Sequence, residues 1–388
     1  MSHTSVFAAI DALADVYVDF WEDACNIESP TLYKEGVDAV GAYFMKKAKE
    51  RGWKIEVFEQ SVSGNAICIT MNPEAQGAPI ALSGHMDTVH AVGSFGSPAV
   101  RVDRENDRIY GPGVTDCKGG AVAAFLAMDA LQACSYQDRP VMLLLQSDEE
   151  NGSKTSGKQT IGWICEKAKD CVAFLNAEGY KEGSLVVGRK GILRYRFDVV
   201  GEAVHSADCA NGIGGINAIA EAAHKILELE KLKDRYGITC NCGLIEGGTV
   251  ANTVPDRCSF VADIRCANEE QLQKAAQKVQ EVADRAYLQG AHCTVERISY
   301  RVAMDPSNAK NQELFCQLNR CFAQAGLPVL EHRISNGGSD AADATVAGIP
   351  TVDSIGVAGG RIHSVEEFAY LSSLPLAAKR MAAAILYL

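Results

Sequence analysis

The sequence predicts an α/β fold in which a central mixed, mostly parallel sheet between helices is interrupted by an inserted α+β domain. Three observations carry this expectation. Short apolar runs without a polar residue, the mark of strands covered on both faces, recur in the first and last parts of the chain. Helical patterns separate them, as at residues 121–131. From Gly188-Arg189-Lys190-Gly191 onward the pattern changes to strands that alternate apolar and polar residues. These changes divide the chain into 1–188 and 303–388, which form the main domain, and 189–302, which forms the insert.

Residues 6–20 are apolar but broken by Asp11 and Asp15 at helical spacing, so they read as an amphipathic first helix rather than a signal peptide. Ile80-Ala81-Leu82 is a buried strand that ends in Ser83-Gly84-His85-Met86-Asp87. A histidine and a carboxylate two residues apart at a strand end fit a metal ligand with a group beside it to orient the ring. The pair alone is more often what a satisfied structural histidine leaves behind. The next cluster, Gly111 to Gly120, is a glycine-rich turn with Asp116 at its centre, and it leads into the helix at 121–131. Val141-Met142-Leu143-Leu144-Leu145 ends in Gln146-Ser147-Asp148-Glu149-Glu150, and Val172-Ala173-Phe174-Leu175 delivers Asn176-Ala177-Glu178-Gly179. A fifth strand, Ile349-Pro350-Thr351-Val352, leads through the loop Ala358-Gly359-Gly360 to His363-Ser364.

In open α/β sheets the functional crevice lies outside the carboxyl ends of the strands, so these groups are expected to converge. Crowded carboxylates need a counter-charge or take up protons, and no lysine or arginine cluster is interleaved to supply one. The two histidines complete a nitrogen and oxygen donor set that suits zinc, with cobalt or manganese as substitutes. Two metal ions fit the charge count better than one, because two dications balance Asp116, Glu150, Glu178 and one hydroxide. Glu149 is then left over beside a ligand, where a general base belongs.

In the insert, Leu193, Tyr195, Phe197 and Val199 alternate with Arg194, Arg196 and Asp198, which makes a strand with one wet face. A helix over 216–232, strands over 238–245 and 259–265, a helix over 269–287 and a strand over 293–302 complete the order βαββαβ, the ferredoxin-like unit. Its polar candidates are His205 at the end of the first strand, Asn252 in a glycine-rich turn, and Arg265 in a strand. Beyond it stand Arg333 and the turn Gly337-Gly338-Ser339-Asp340, where Ser339 or Asp340 serves equally well as a helix cap.

At 388 residues and 47% hydrophobic, the chain has room for roughly two or three domains. A balance of 37 basic against 49 acidic residues, net −12, argues against nucleic acid or an anionic membrane as partner. No run approaches the ~20 apolar residues of a membrane span. The fourteen cysteines are scattered with no secretory signal, which points to reduced thiols and a cytoplasmic protein. Cys240 and Cys242 read as neighbouring strand positions rather than as a zinc site.

Taken in order from His85 to His363, these motifs resemble the co-catalytic zinc peptidase family that includes acetylornithine deacetylase, succinyl-diaminopimelate desuccinylase, aminoacylase and the carboxypeptidase G (glutamate carboxypeptidase) type enzymes. The resemblance spans nearly the whole chain. It implies a zinc-peptidase-type catalytic domain, with the insert as a lid and dimerisation domain in a homodimer. It implies two zinc ions per chain, one on His85 and Glu178, the other on Glu150 and His363, with Asp116 bridging both. Asp87 would hold the His85 ring, and Glu149 would pass a proton from the attacking water to the leaving nitrogen. A cis peptide is implied between Asp116 and Cys117, where methionine or threonine is more familiar than cysteine. His205 would reach the partner subunit's active site and stabilise the oxyanion, Asn252 and Arg265 would hold the substrate carboxylate, and Gly338 would add backbone contacts. The implied activity is hydrolysis of an amide in a small peptide to release an amino acid with a free carboxylate, by a carboxypeptidase or dipeptidase. Residues 353–368 and Arg333 look most like the glutamate carboxypeptidase branch. An N-acyl amino acid deacylase is the alternative, and a non-catalytic homologue acting as a binding protein would require a lost ligand, of which there is none.

Overall fold

In the computed structural model, which describes residues 2–208, 214–234 and 237–388, the apolar runs become strands that water does not reach. The chain divides into two compact units, Met1–Val187 with Ser307–Ile334 and Ser339–Leu388, and Gly188–Pro306 with Ser335–Gly338. The second unit therefore continues past 302, the end expected from the sequence, and it takes in 335–338 as well. The reason lies in the backbone: Arg189 and Met304 exchange both N–H···O bonds at 2.9 Å, and the N–H of Lys190 donates to the carbonyl of Ser335 at 3.1 Å.

The first unit is built from α1 (His3–Asn26), α2 (Lys34–Glu50), β1 (Lys54–Phe58), β2 (Ala66–Met71), β3 (Ile80–His85), β4 (Arg101–Asp103), β5 (Arg108–Tyr110), α3 (Lys118–Ala133), β6 (Val141–Gln146), α4 (Gln159–Ala168), β7 (Phe174–Asn176) and β8 (Ser184–Arg189). The second unit holds β9 (Gly191–Val200), α5 (Ala218–Glu230), β10 (Thr239–Gly247), β11 (Arg257–Cys266), α6 (Glu269–Asp284) and β12 (His292–Arg301). The chain then adds α7 (Ala309–Gln324), β13 (Glu331–Ser335), α8 (Asp340–Val346), β14 (Thr351–Asp353), β15 (Gly359–Gly360), β16 (Phe368–Tyr370) and α9 (Ser373–Tyr387).

The main sheet runs β1-β2-β6-β3-β7-β14-β8-β13. Its centre, β6-β3-β7-β14, is parallel, while β1, β2 and β8 join antiparallel on the flanks. Both faces are covered, as the unbroken apolar runs require. On one face α3, with thirteen of its sixteen residues buried, lies between the sheet and helices α1 and α9. On the other, α4 and α8 close a smaller core around Cys68, Leu144, Ile161, Phe174 and Ile349. Among the described residues no helix is long and apolar enough to cross a membrane.

In the second unit the four strands pair antiparallel in the order β10-β11-β9-β12, with α5 and α6 packed on one face. Burial along β11 alternates residue by residue, as a strand with one wet face requires. Helix α6 stops at Asp284, short of the 287 read from the sequence. The cause is a buried ion pair on α5, Glu221–Lys225 at 3.1 Å with both side chains 1% exposed. Lys225 donates to the carbonyls of Val282, Ala283 and Arg285, and Glu221 accepts the N–H groups of Tyr287 and Leu288, so the backbone groups that would extend α6 are already engaged.

One close approach in the first unit bears directly on function. A Cβ on Gly120, in the first turn of α3, would lie 1.8 Å from the carbonyl oxygen of Ala177, the residue before Glu178. That contact is backbone on backbone, so no rotamer relieves it. Gly120→Ala, although it favours helix, is expected to destabilise the protein by about 1–3 kcal/mol through overpacking, and to weaken metal uptake by shifting Glu178. Urea unfolding with a midpoint equal to wild type would contradict this.

Candidate metal centre

Strand register explains why distant residues meet. In the parallel ladder His85 is opposite Gln146 and Ser83 is opposite Asn176, so β3, β6 and β7 end almost level. Whatever follows Gln146 and Asn176 emerges beside His85. Glu149 and Glu150 follow the first, and Glu178 follows the second.

Asp116 arrives on the turn ahead of α3, and the Asp116–Cys117 peptide is cis. Its two oxygens face opposite ways. Oδ1 lies 3.2 Å from His85 Nε2, which is itself 3.6 Å from Glu178 Oε1. Oδ2 lies 3.3 Å from His363 Nε2, which is 3.3 Å from Glu150 Oε2. One carboxylate is thus shared between two histidine–glutamate pairs. His363 is set down by the small sheet β15-β16-β5-β4 rather than by the end of β14. It adopts φ +62°, the left-handed region uncommon outside glycine, and its side chain is 54% exposed where His85 is 1% exposed.

Asp87 does more than orient one ring. The nearest oxygen to His85 Nδ1 is the backbone carbonyl of Asp87 at 2.9 Å, with its carboxylate Oδ1 at 3.4 Å. The same carboxylate accepts the N–H of Glu149 on Oδ1 and of Glu150 on Oδ2, each at 3.1 Å, and the hydroxyl of Thr31 at 2.7 Å. It therefore couples the β3 end to the turn after β6.

Glu367, 1% exposed, plays the matching part for Asp116. Its Oε1 accepts the N–H groups of Thr115 at 2.9 Å and Asp116 at 3.0 Å, and its Oε2 meets Gly113 N–H at 3.3 Å and His90 Nε2 at 2.8 Å. Sequence reading missed Glu367, His90 and Thr31. Only the position of Glu367 four residues after His363 hinted at a role. Cys117, read as a bystander, accepts the His85 N–H on Sγ at 3.0 Å, and it stands with His85 and Glu178 in a group close enough to hold a metal ion.

The electrostatics are those of acids forced together. Burial pushes the Glu150 carboxyl up to about 8, against the hydrogen bond from His363 and with the charges of Asp116 and Glu149 adding to the rise. Hydrogen bonds to Asp116 and Glu150 raise His363 to about 10. Burial alone would raise Asp116, yet His363 and His85 hold it well below the usual carboxylate range. His85 is raised well above its ordinary value in spite of burial, by Cys117, Asp116 and Asp87. The protons held here are what a cation would replace, and two imidazoles with three carboxylates make a donor set that fits zinc.

The other candidates lie elsewhere. His205, Asn252, Arg265 and Gly338 belong to the second unit, and Arg333 to the first. His205 and Asn252 are exposed and neighbouring, since His205 bridges Thr253 and Ser206 N–H donates to the Asn252 carbonyl at 3.0 Å. Arg265 donates from Nε to Asp263 at 2.9 Å and from Nη1 to the Asn336 carbonyl at 2.7 Å. A Cβ on Gly338 would meet Arg301 Cδ at 2.5 Å. Cys240 and Cys242 do sit two apart on β10, with Glu230 close enough to make a third metal-binding group, although Lys233 already pairs with Glu230.

The family model described as peptidase family M20/M25/M40 matches residues 81–387. Carboxypeptidase G2 of Pseudomonas sp. (strain RS-16) is 28% identical over 361 residues, covering 91% of this chain and 85% of that one. Among solved structures, aminopeptidase PepT from Bacillus cereus superposes with a TM-score of 0.79 at 21% identity, covering 96% of this chain and 98% of that one. An M20 family metallo-carboxypeptidase from Sulfolobus solfataricus superposes at 0.70 with 18% identity, over 96% and 98%.

Zinc uptake by the metal-free protein is expected to release protons and to weaken as pH falls. At pH 7 Glu150, at about 8, and His363, at about 10, both carry protons that the cation must displace, so affinity rises with pH until those groups have titrated. Calorimetry in two buffers of different ionisation enthalpy counts the protons, and none released at pH 7 would refute the assignment.

Proposed function

The chain belongs to peptidase family M20/M25/M40, and on the footing that it is a metal-dependent hydrolase of linear amide bonds we propose that it is a dinuclear zinc carboxypeptidase or dipeptidase. Its product would be an amino acid with a free carboxylate. The observation that carries the reading is Asp116, whose two oxygens turn to two separate histidine–glutamate pairs. A single ion needs no such division.

His85 and Glu178 would hold one zinc, Glu150 and His363 the other, and Asp116 both; cobalt or manganese would be accepted by the same donors. Bound there, the metals would polarise the scissile carbonyl and make water acidic enough to attack at neutral pH. The remaining work falls to side chains. Glu149 takes the proton from the attacking water on its carboxylate and returns it to the leaving nitrogen. Asp87 keeps the His85 ring and the two glutamate N–H groups in place while this happens. His205 would act in the partner subunit's active site by donating to the oxyanion, Asn252 and Arg265 would hold the substrate carboxylate, for which the planar fork of arginine is well shaped, and Arg333 and Gly338 would add further substrate contacts.

The second unit serves as the lid and as the surface through which two copies pair. Its open edge strand β10 supports the pairing of copies, with Leu244 68% and Ile245 57% exposed. A cytoplasmic setting is supported by cysteines spread as single thiols through the cores, among them Cys25, Cys68, Cys171 and Cys266.

Glu149→Gln is expected to keep about two zinc per chain and lose on the order of 10²-fold or more in turnover. Near-wild-type rates in a metal-replete variant would remove Glu149 from the proton path. Dipeptides run against N-acetyl and N-succinyl amino acids test the substrate side, where cleavage confined to the acyl compounds would make the protein a deacylase.

A further inference from the structure

A cavity of about 800 Å³ lies in the first unit, outside the set of metal-binding side chains, and among the residues that line it is a buried arginine, Arg380. Arg380, on α9, is 4% exposed, and among the described residues it has no ion-pair partner. Its one side-chain hydrogen bond runs from Nη2 to Tyr180 Oη at 3.0 Å, and its guanidinium carbon stacks 4.0 Å above the centroid of the Tyr180 ring. Nε is buried without a partner. Burial pulls the group below the ordinary arginine range, with Tyr180 the one neighbour opposing that shift. A lone buried cation is costly, and such charges are ordinarily paired.

Tyr180, 7% exposed, adds a second unspent donor. Its oxygen already accepts from Arg380 and from the N–H of Gly183 at 2.7 Å, while its own O–H proton has no acceptor. Lys181 and Glu182 also line the cavity but are exposed to water, and three of its other polar groups are occupied. Asp107 takes the N–H and hydroxyl of Ser372, Ser373 Oγ donates to the carbonyl of Tyr370, and Thr115 Oγ1 donates to that of Phe368. Pro328, Leu330 and Leu376 supply an apolar wall. Arg380 and Tyr180 thus offer buried donors and a positive charge beside hydrocarbon, while the acids of the lining are either already bonded, as Asp107 is, or exposed, as Glu182 is.

We propose that this cavity binds a small organic carboxylate with an apolar body, its head group accepting from the free edge of the Arg380 guanidinium and from the Tyr180 hydroxyl. The volume suits a molecule of that kind, since ligand pockets commonly span about 300–1,000 Å³. A carboxylate would also supply the missing counter-charge in the geometry arginine recognises best. Because Tyr180 stands two residues beyond Glu178, an occupant would tie α9 to the segment that carries a metal-binding glutamate. The proposal does not depend on which amide the metal centre cuts.

Calorimetric titration of the metal-loaded protein with 4-phenylbutyrate and with the neutral 4-phenylbutanol tests it, alongside Arg380→Met and Tyr180→Phe. The acid is expected to bind saturably, with the alcohol roughly ten-fold or more weaker, and each substitution is expected to weaken the acid. Arg380→Met should retain its zinc and unfold, without the acid, at or above the wild-type temperature, because the unpaired charge is gone. The acid should raise the melting temperature of wild type and leave that of Arg380→Met unmoved. Acid and alcohol binding alike, acid binding unchanged in Arg380→Met, or an Arg380→Met protein that melts well below wild type would overturn the proposal, the last by making Arg380 a structural residue.

Discussion

Mutual repulsion among Asp116, Glu150 and Glu178 is the constraint around which the first unit is organised. Three parallel strands ending almost level would leave these carboxylates to spread apart or unfold their turns. They are held by two further acids that never face the cleft with their charge free. Asp87 grips the turn after β6 and the His85 ring, and Glu367 grips the turn that carries Asp116. Each spends its lone pairs on backbone N–H groups, so acidic density is added to the neighbourhood as scaffold rather than as further repulsion. The two imidazoles complete the arrangement by standing between the acids they face.

What the sequence made legible was local, and what it hid was distant. His85, Asp116, Glu149, Glu150 and Glu178 each follow an apolar run or a glycine-rich turn, so a pattern a few residues long exposes them, and parallel pairing then forces their convergence. Glu367 has no such signature. Its partners Asp116 and His90 are 251 and 277 residues away along the chain, and a contact of that span leaves nothing periodic to read. Thr31, 56 residues from Asp87, is hidden for the same reason. The route to His363 was misjudged at the level of architecture, because Gly359–Gly360 pairs with Phe368–Tyr370 and belongs to a separate small sheet. Periodicity likewise carried α6 too far, since helical spacing cannot reveal that a lysine on another helix has claimed the last carbonyls.

Buried charge is handled in two ways in the same chain. Glu221 and Lys225 face each other and divide their remaining hydrogen bonds among five backbone groups, which makes the pair a joint between α5 and the end of α6. Arg380 has an aromatic face and one phenol. The contrast matters because both residues are equally hidden from water, so burial alone does not separate structural charge from charge that awaits something. The supply of acceptors does.

The order in which the centre is spelled along the chain has a consequence for biosynthesis. His85, Asp116, Glu150 and Glu178 all precede the second unit, whereas His363 and the Glu367 that pins the Asp116 turn come after it. A nascent chain that has been made through the end of the second unit still lacks one imidazole and the clamp on its central carboxylate. On the proposed assignment of the centre, hydrolytic competence would be the last property the polypeptide acquires, and a fragment released early would be inert toward the amides around it.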